Sequence, residues 1–189
     1  MNLVERVKGI LLQPKSEWQV IAAEPGTPQN LYPSYIIPLA AIGPVANVIG
    51  LAVVGMNMMG GHIRLGLMGA LAYALVSFLL MLVFVYVLGL IIDALAPAFQ
   101  AQKSPSQAFK VAAYCMTPGW LAGVFGILPG FLAILGFLLS LYGIYLLYLG
   151  ILTLMRPTQE KAVIYTLVVI VPSVVIMMAM GYVSAMFIS

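Results

Sequence analysis

The sequence predicts an all-α fold: a polytopic membrane bundle of five transmembrane helices with an amphipathic cytoplasmic N-terminal helical segment. Composition is the first reason. Hydrophobic residues make up 63% of the 189-residue chain and charged residues 7%, where a soluble domain has about 45–50% and 25%. Mean hydropathy is +1.12. The second reason is spacing: eight Lys/Arg and five Asp/Glu leave long uncharged stretches between them. These values exclude a soluble enzyme, and they exclude intrinsic disorder, which needs low hydrophobicity and high charge.

A helix needs about 20 apolar residues to cross the hydrocarbon core. Between Glu24 and Arg64 the turn-rich stretch Pro25–Asn30 comes first, leaving one span near 33–56. Arg64 to Asp93 gives a second, near 67–95. Lys110 to Arg156 holds two, near 110–128 and 131–155, divided at the turn signal Pro129-Gly130. The uncharged run after Lys161 gives the fifth, near 162–187. With five spans, Arg6, Lys8, Lys15, Lys103, Lys110, Arg156 and Lys161 fall on one side and only Arg64 on the other. A single crossing of 111–155 would move Arg156 and Lys161 across and blur that asymmetry. The positive-inside rule thus predicts five spans, N-terminus in the cytoplasm and C-terminus outside.

Residues 1–30 form a separate cytoplasmic segment, and residues 31–189 the transmembrane domain. Leu3, Val4, Val7, Ile10 and Leu11 line one helical face, opposite Glu5, Arg6 and Lys8. Pro14 ends that helix. Ser16 with Gln19 reads as a capping box for a second short helix carrying Trp18, Val20 and Ile21. Two placements follow: in the membrane interface with Trp18 as anchor, or against the cytoplasmic ends of the spans. No cleavable signal peptide is expected, because Gly9–Leu12 is too short for an apolar core and a polar stretch follows it.

The polar inventory excludes more. One cysteine, Cys115, and one histidine, His62, make neither a disulfide framework nor a zinc site. No metal and no cofactor are expected, and the scattered cations make no nucleic-acid surface. P-loop, Rossmann, G-x-S-x-G and H-E-x-x-H patterns do not occur. Cys115 and His62 fall on opposite sides of the membrane, so they form no nucleophile–base pair. Met56, Met58, Met59 and His62 offer soft ligands of the kind copper takes, but chance and lipid-facing packing are the better account of such a cluster in a chain with 12 methionines. No enzyme is expected.

Asp93 is the one ionisable residue inside a predicted span, which marks it for function. It sits near the cytoplasmic end, where Lys103 or Lys110 would serve as an ion-pair partner. Asn47, Ser77, Ser140, Tyr142, Tyr145 and Ser173 fall near the midplane, with no charge among them, against ion-coupled transport. Tyr142 and Tyr145 are too deep for an aromatic belt, so Asn47 and Thr117 are expected to receive their hydroxyls. Thr117-Pro118-Gly119 should kink the third span, with Gly119, Gly123 and Gly126 allowing close helix approach. Ala46/Gly50 and Gly66/Ala70/Ala74 have the same small-residue spacing.

Several segments resemble the Yip family of five-span membrane proteins, the Rab-interacting proteins of eukaryotes, in its bacterial form. They are Leu11-Leu-Gln-Pro-Lys-Ser-Glu-Trp18 with Glu24, Tyr35-Ile-Ile-Pro-Leu-Ala-Ala-Ile42, Asp93-Ala-Leu-Ala-Pro-Ala-Phe99 and Phe109-Lys-Val-Ala-Ala-Tyr-Cys-Met-Thr-Pro118. Ile127-Leu-Pro129 and Leu141-Tyr-Gly-Ile-Tyr-Leu-Leu-Tyr-Leu-Gly150 complete the set. The resemblance implies a helical domain in a bacterial inner membrane and no established chemistry. The candidate binding residues are Asn47, Asp93, Tyr114, Thr117, Tyr142 and Tyr145, with no catalytic or metal site. The expected function is a non-enzymatic protein that organises membrane lipids or partner proteins, itself included as a homo-oligomer. The alternative is a small-molecule or lipid transporter with a groove beside the kinked third span.

Overall fold

A helix that is apolar all round has no face for water and must be buried in protein or lipid. Four helical runs of this kind organise the molecule: Pro28–Ala52, Leu67–Phe99, Ile134–Met155 and Gln159–Ala185, each long and apolar enough to cross a membrane. The structure is a computed structural model describing residues 2–54, 56–58, 61–63, 66–127 and 133–186. Two short helices come first, α1 (Leu3–Leu12) and α2 (Pro14–Ala23). The first long run is broken up by Pro33, Pro38 and Pro44, each lacking an N–H. It becomes α3 (Pro28–Leu31), a wide turn over Tyr32–Ile36, α4 (Ile37–Ala40) and α5 (Ile42–Ile49). A three-residue hairpin, β1 (Met56–Met58) paired antiparallel with β2 (Gly61–Ile63), is the exception to an otherwise all-helical architecture among the described residues.

Then follow α6 (Leu67–Leu95), α7 (Pro105–Cys115), α8 (Thr117–Ala122), α9 (Ala133–Gly150) and α10 (Gln159–Ala185). The predicted third span is α7, a turn at Met116, α8 and a tight 3₁₀ segment over Gly123–Ile127. The break falls just before Thr117-Pro118, where the proline ring excludes the preceding helical turn. The structure thus has four long apolar helical runs plus one broken segment. The predicted turn at Pro129-Gly130 and the side chain of Met59 lie outside the described residues.

The N-terminal segment folds onto the bundle. Ile10, Trp18 and Ile21 are fully buried, so packing prevails over interfacial anchoring by Trp18. The buried face of α1 also differs from the expected one. Arg6 points inward, only 5% exposed, and Val4 outward, 55% exposed, because two acids await the guanidinium inside. The expected Ser16/Gln19 capping box does not form. Pro14 occupies the first turn of α2, where its missing N–H costs nothing, and the Ser16 hydroxyl donates back to the Gln13 carbonyl at 3.0 Å. A capping box opens α1 instead, between Asn2 and Glu5.

Helix α7 is the centre of the charged end: every residue from Ala108 to Cys115 is buried. Small residues let its neighbours approach. A Cβ on Gly89 of α6 would stand 3.2 Å from the Phe109 Cα, and one on Gly143 of α9 would stand 3.0 Å from the Cys115 carbonyl oxygen. The closest crossing joins α5 to the 3₁₀ segment, where a Cβ on Gly123 would lie 2.6 Å from the Gly43 Cα. Gly119, expected to pack in the same way, has open space at its Cβ position.

Candidate functional site

Arg6 organises the polar cluster at the charged end. Its Nη1 donates to Glu17 Oε1 at 2.6 Å, and its Nη2 donates to Glu24 Oε2. Its guanidinium carbon lies 5.6 Å from the centre of the Tyr114 ring, in cation–π range. Burial opposes the charge, but the hydrogen bond Arg6 donates to Glu24 and the negative surroundings outweigh it, and the Arg6 pKa is raised above its ordinary value. A base raised in this way contributes stability at every pH below its ordinary value. No titration of Arg6 therefore loosens the cluster near neutrality.

Lys110, 3% exposed, holds the other end of α2. Its Nζ donates to the Ile21 carbonyl at 2.9 Å and to the Glu24 carbonyl at 2.8 Å, so a cation meets the negative end of the α2 dipole. Gln107 and Ser106 of α7 add bonds to the Ala22 and Gly26 carbonyls. Trp18 stands edge-on to Tyr114, with ring centres 6.1 Å apart, and Tyr35 lies 4.6 Å from Tyr114. The Thr117 hydroxyl donates to the Tyr114 carbonyl at 2.7 Å, which commits its one proton. The Tyr35 hydroxyl, also at 2.7 Å, is therefore the donor to Thr117 Oγ1.

Around this cluster opens a cavity of about 290 Å³, lined by Arg6, Glu24, Asn30, Ser34, Tyr35 and Tyr114 among others. A wider cleft of about 760 Å³ lies between α9 and α10 at Tyr148, Thr158 and Lys161. Tyr114 and Thr117 thus come together as a site; the other candidates do not join them. The Tyr142 hydroxyl donates to the Leu11 carbonyl at 2.9 Å, not to Asn47 or Thr117. Tyr145 is 40% exposed, and Asn47 is half-buried on α5. The expected partner of Asp93 is also corrected: Lys110 faces the N-terminal helices, and Lys103 is exposed. Asp93 Oδ1 is buried without a hydrogen bond, next to the Ile92 carbonyl that receives the Tyr165 hydroxyl.

Arg6, Glu17, Glu24 and Tyr35 surround Tyr114 and Thr117 and were not singled out by pattern reading. A signal existed: Glu17 and Glu24 are seven residues apart and share one face of α2 and its end. Chemically the cluster fixes geometry. Its acids are bound to Arg6, the Tyr35 hydroxyl ends on Thr117 and the Thr117 hydroxyl on a carbonyl, and no group of three or more His, Cys, Asp or Glu able to hold a metal occurs among the described residues. Beside the broken third segment, Gly43 and Gly123 meet backbone to backbone.

Comparison with known proteins agrees with this picture of a multi-pass membrane protein. The family description "Yip1 domain" matches residues 8–181. The inner membrane protein YohC of Escherichia coli strain K12 is 30% identical over 166 residues, covering 86% of this chain and 85% of YohC. YohC of Escherichia coli O6:H1 strain CFT073 matches to the same extent. No solved structure matches the chain.

Proposed function

Because the chain belongs to the Yip1 domain family, we propose that it is a non-enzymatic inner membrane protein that organises membrane lipids or partner proteins through its charged end. One observation carries this reading: Lys110 of α7 holds the α2 carbonyls, Arg6 ties α1 to α2 over the Tyr114 ring, and an open polar cavity remains beside them. Binding without turnover is what such a site supports. The relative's name, inner membrane protein, supports the location. The transport alternative has less support, since Gly43 against Gly123 fills the place beside the third segment where a groove was expected.

The same reading includes five crossings, the third made by the broken segment 105–127, with the N-terminus in the cytoplasm. The cations of residues 6–15, 103–110 and 156–161 then share one side, as the positive-inside rule requires. A C-terminal alkaline phosphatase fusion should be active and a C-terminal green fluorescent protein fusion dark. The reverse would mean an even number of crossings.

Partner binding is tested by photo-crosslinking in native membranes, with the reactive side chain at Asn30 in the cavity or at Val175 on the lipid face of α10. The Asn30 probe should capture a protein or lipid that the Val175 probe does not. Identical captures from both positions would overturn the organising role.

A further inference from the structure

The cavity beside Arg6 has a definite depth. Trp18 sits over Gly150, where an added Cβ would stand 2.8 Å from its Cη2, and the Tyr142 hydroxyl reaches the Leu11 carbonyl. Helix α2 therefore runs along the flank of α9 toward the charged end. Glu24 is about 9 Å of helix past Trp18, and Met155 is about 7 Å past Gly150. Met155 closes the apolar run Ile134–Met155, so Glu24 is level with the end of a span. Across the cavity stand Asn30, Ser34 and Tyr35, in the first turns of the apolar run Pro28–Ala52. Two apolar runs reach their ends at this level, which places the cavity at headgroup depth.

Its polar lining is rich in unpaired acceptors. The Glu24 carboxylate binds Arg6 through Oε2 and has Oε1 free, on a side chain 40% exposed. The Ser34 hydroxyl gives its one proton to the Asn30 carbonyl at 2.5 Å, so its oxygen offers lone pairs alone. Tyr114 is 5% exposed and lines the cavity, and its hydroxyl makes no hydrogen bond with any described residue. A tyrosine hydroxyl buried to this degree ordinarily has a partner. The charge agrees with the acceptors. Arg6 faces two acids, Glu17 and Glu24, which leaves one negative charge over. Lys110 could balance it but stands behind Gly26, where an added Cβ would lie 2.8 Å from Lys110 Cδ, and its Nζ is held by the Ile21 and Glu24 carbonyls. An anion would have to displace one acid from Arg6 and sit against the other.

We propose that the cavity binds a primary ammonium group, held by Glu24 Oε1 and the hydroxyl oxygens of Tyr114 and Ser34, and that its source at this depth is the headgroup of phosphatidylethanolamine. It rests on the reading of the charged end as a binding site and names the ligand. The three N–H donors of an ammonium match three acceptors; choline has no N–H to give, and phosphatidylglycerol brings no cation. The volume of about 290 Å³ lies at the small end of ligand pockets and suits a headgroup, not a whole lipid.

The full-length protein is placed in phosphatidylcholine nanodiscs carrying phosphatidylethanolamine or phosphatidylglycerol, and the lipids retained after transfer to detergent are counted by native mass spectrometry. Phosphatidylethanolamine should stay with the chain while the other two wash off; equal retention of all three would overturn the ammonium assignment. Glu24→Gln removes the charge from the bond and should weaken retention about tenfold. Tyr114→Phe keeps the ring contacts with Trp18 and Tyr35 and should weaken it by about threefold to tenfold. Unchanged retention in both variants would overturn the site. Calorimetric titration with ethanolamine forms the second arm: binding of the free amine without retention of the lipid would overturn the lipid source and leave the ammonium site. The photo-crosslink at Asn30 separates this proposal from the broader reading. Capture there of a protein or another lipid, with no ethanolamine lipid, would overturn the ammonium site and leave the organising role standing.

Discussion

The charged end and the spans beyond it use hydroxyl groups differently. Tyrosines cross between elements, Tyr32 to the Leu82 carbonyl, Tyr35 to Thr117, Tyr165 to Ile92 and, deeper along α9, Tyr142 to Leu11; Ser106 in the first turn of α7 reaches Gly26, while Ser34 and Thr166 turn back on Asn30 and Ala162. Farther along the spans the serines turn back on their own helices, Ser77 to Ala74, Ser140 to Gly136 and Ser173 to Val169. A serine is short, and the carbonyl one turn back is nearer than any neighbouring helix. The comparison teaches that polar bonds specify the fold where the side chain is long enough to leave its helix or, as at Ser106, stands at the helix's first turn. Elsewhere the fit of small residues does it, as at Gly43 and Gly123.

The comparison is broken most severely at Trp18, fully buried between α7 and α9. Trp18→Ala should cost about 3–5 kcal/mol of stability, while Phe137→Ala, at a 62% exposed position on the lipid side, should cost under about 0.5. Denaturant titration in micelles with protease cleavage of the N-terminal helices would read both. Equal losses would mean that the hairpin is an appendage. Next comes Arg6→Met, which leaves Glu17 buried without its cation and should cost about 3 kcal/mol. Glu24→Gln should cost under about 1, because that side chain is 40% exposed and its pairing is screened by water.

The other half is probed by glycines. Gly123→Ala places a methyl 2.6 Å from the Gly43 Cα, which cannot yield without moving a helix, and about 1–3 kcal/mol is the expected loss. Gly119→Ala meets open space in α8 and should stabilise by about 0.5–1 kcal/mol through helix propensity. Melting temperatures of the two variants should move in opposite directions; a common direction would show that close approach at Gly43 does not hold the third segment.

Four of the predicted spans were legible because charge is nearly absent from them: Leu67 to Leu95 emerges as one helix at the predicted boundaries, with Asp93 its one charge. The proline break at Thr117 was legible for an equally local reason. What the pattern could not show was the destination of long side chains. Arg6 and Lys110 read as ordinary positive-inside cations, yet both reach more than one helical turn to groups far off in sequence, Glu24 and the Ile21 carbonyl. Asp93 was given a partner because Lys103 and Lys110 share its side of the membrane, whereas which face of α7 carries Lys110 is decided by tertiary packing. Of the candidate residues, Tyr114 and Thr117 lie together, and their neighbour Tyr35 was not singled out, although it stands in a segment that carries the family resemblance.

The finest test of the comparison sets one hydroxyl from each half against the other. Tyr35→Phe removes the donor to Thr117 Oγ1 in a fully buried setting, with ring packing on Tyr114 and Trp120 retained. The threonine keeps its own bond to the Tyr114 carbonyl, so only one acceptor site is left empty and the loss should be about 1 kcal/mol. Ser140→Ala deletes a bond that α9 makes with itself on an exposed surface. Serine in mid-helix already competes with the backbone, so alanine should be neutral or slightly stabilising, by up to about 0.5 kcal/mol. A double variant should equal the sum of the two, because the sites share no partner. If Ser140→Ala instead proved as costly as Tyr35→Phe, the hydroxyls of the spans would be holding helices together after all, and the division between the halves would fail.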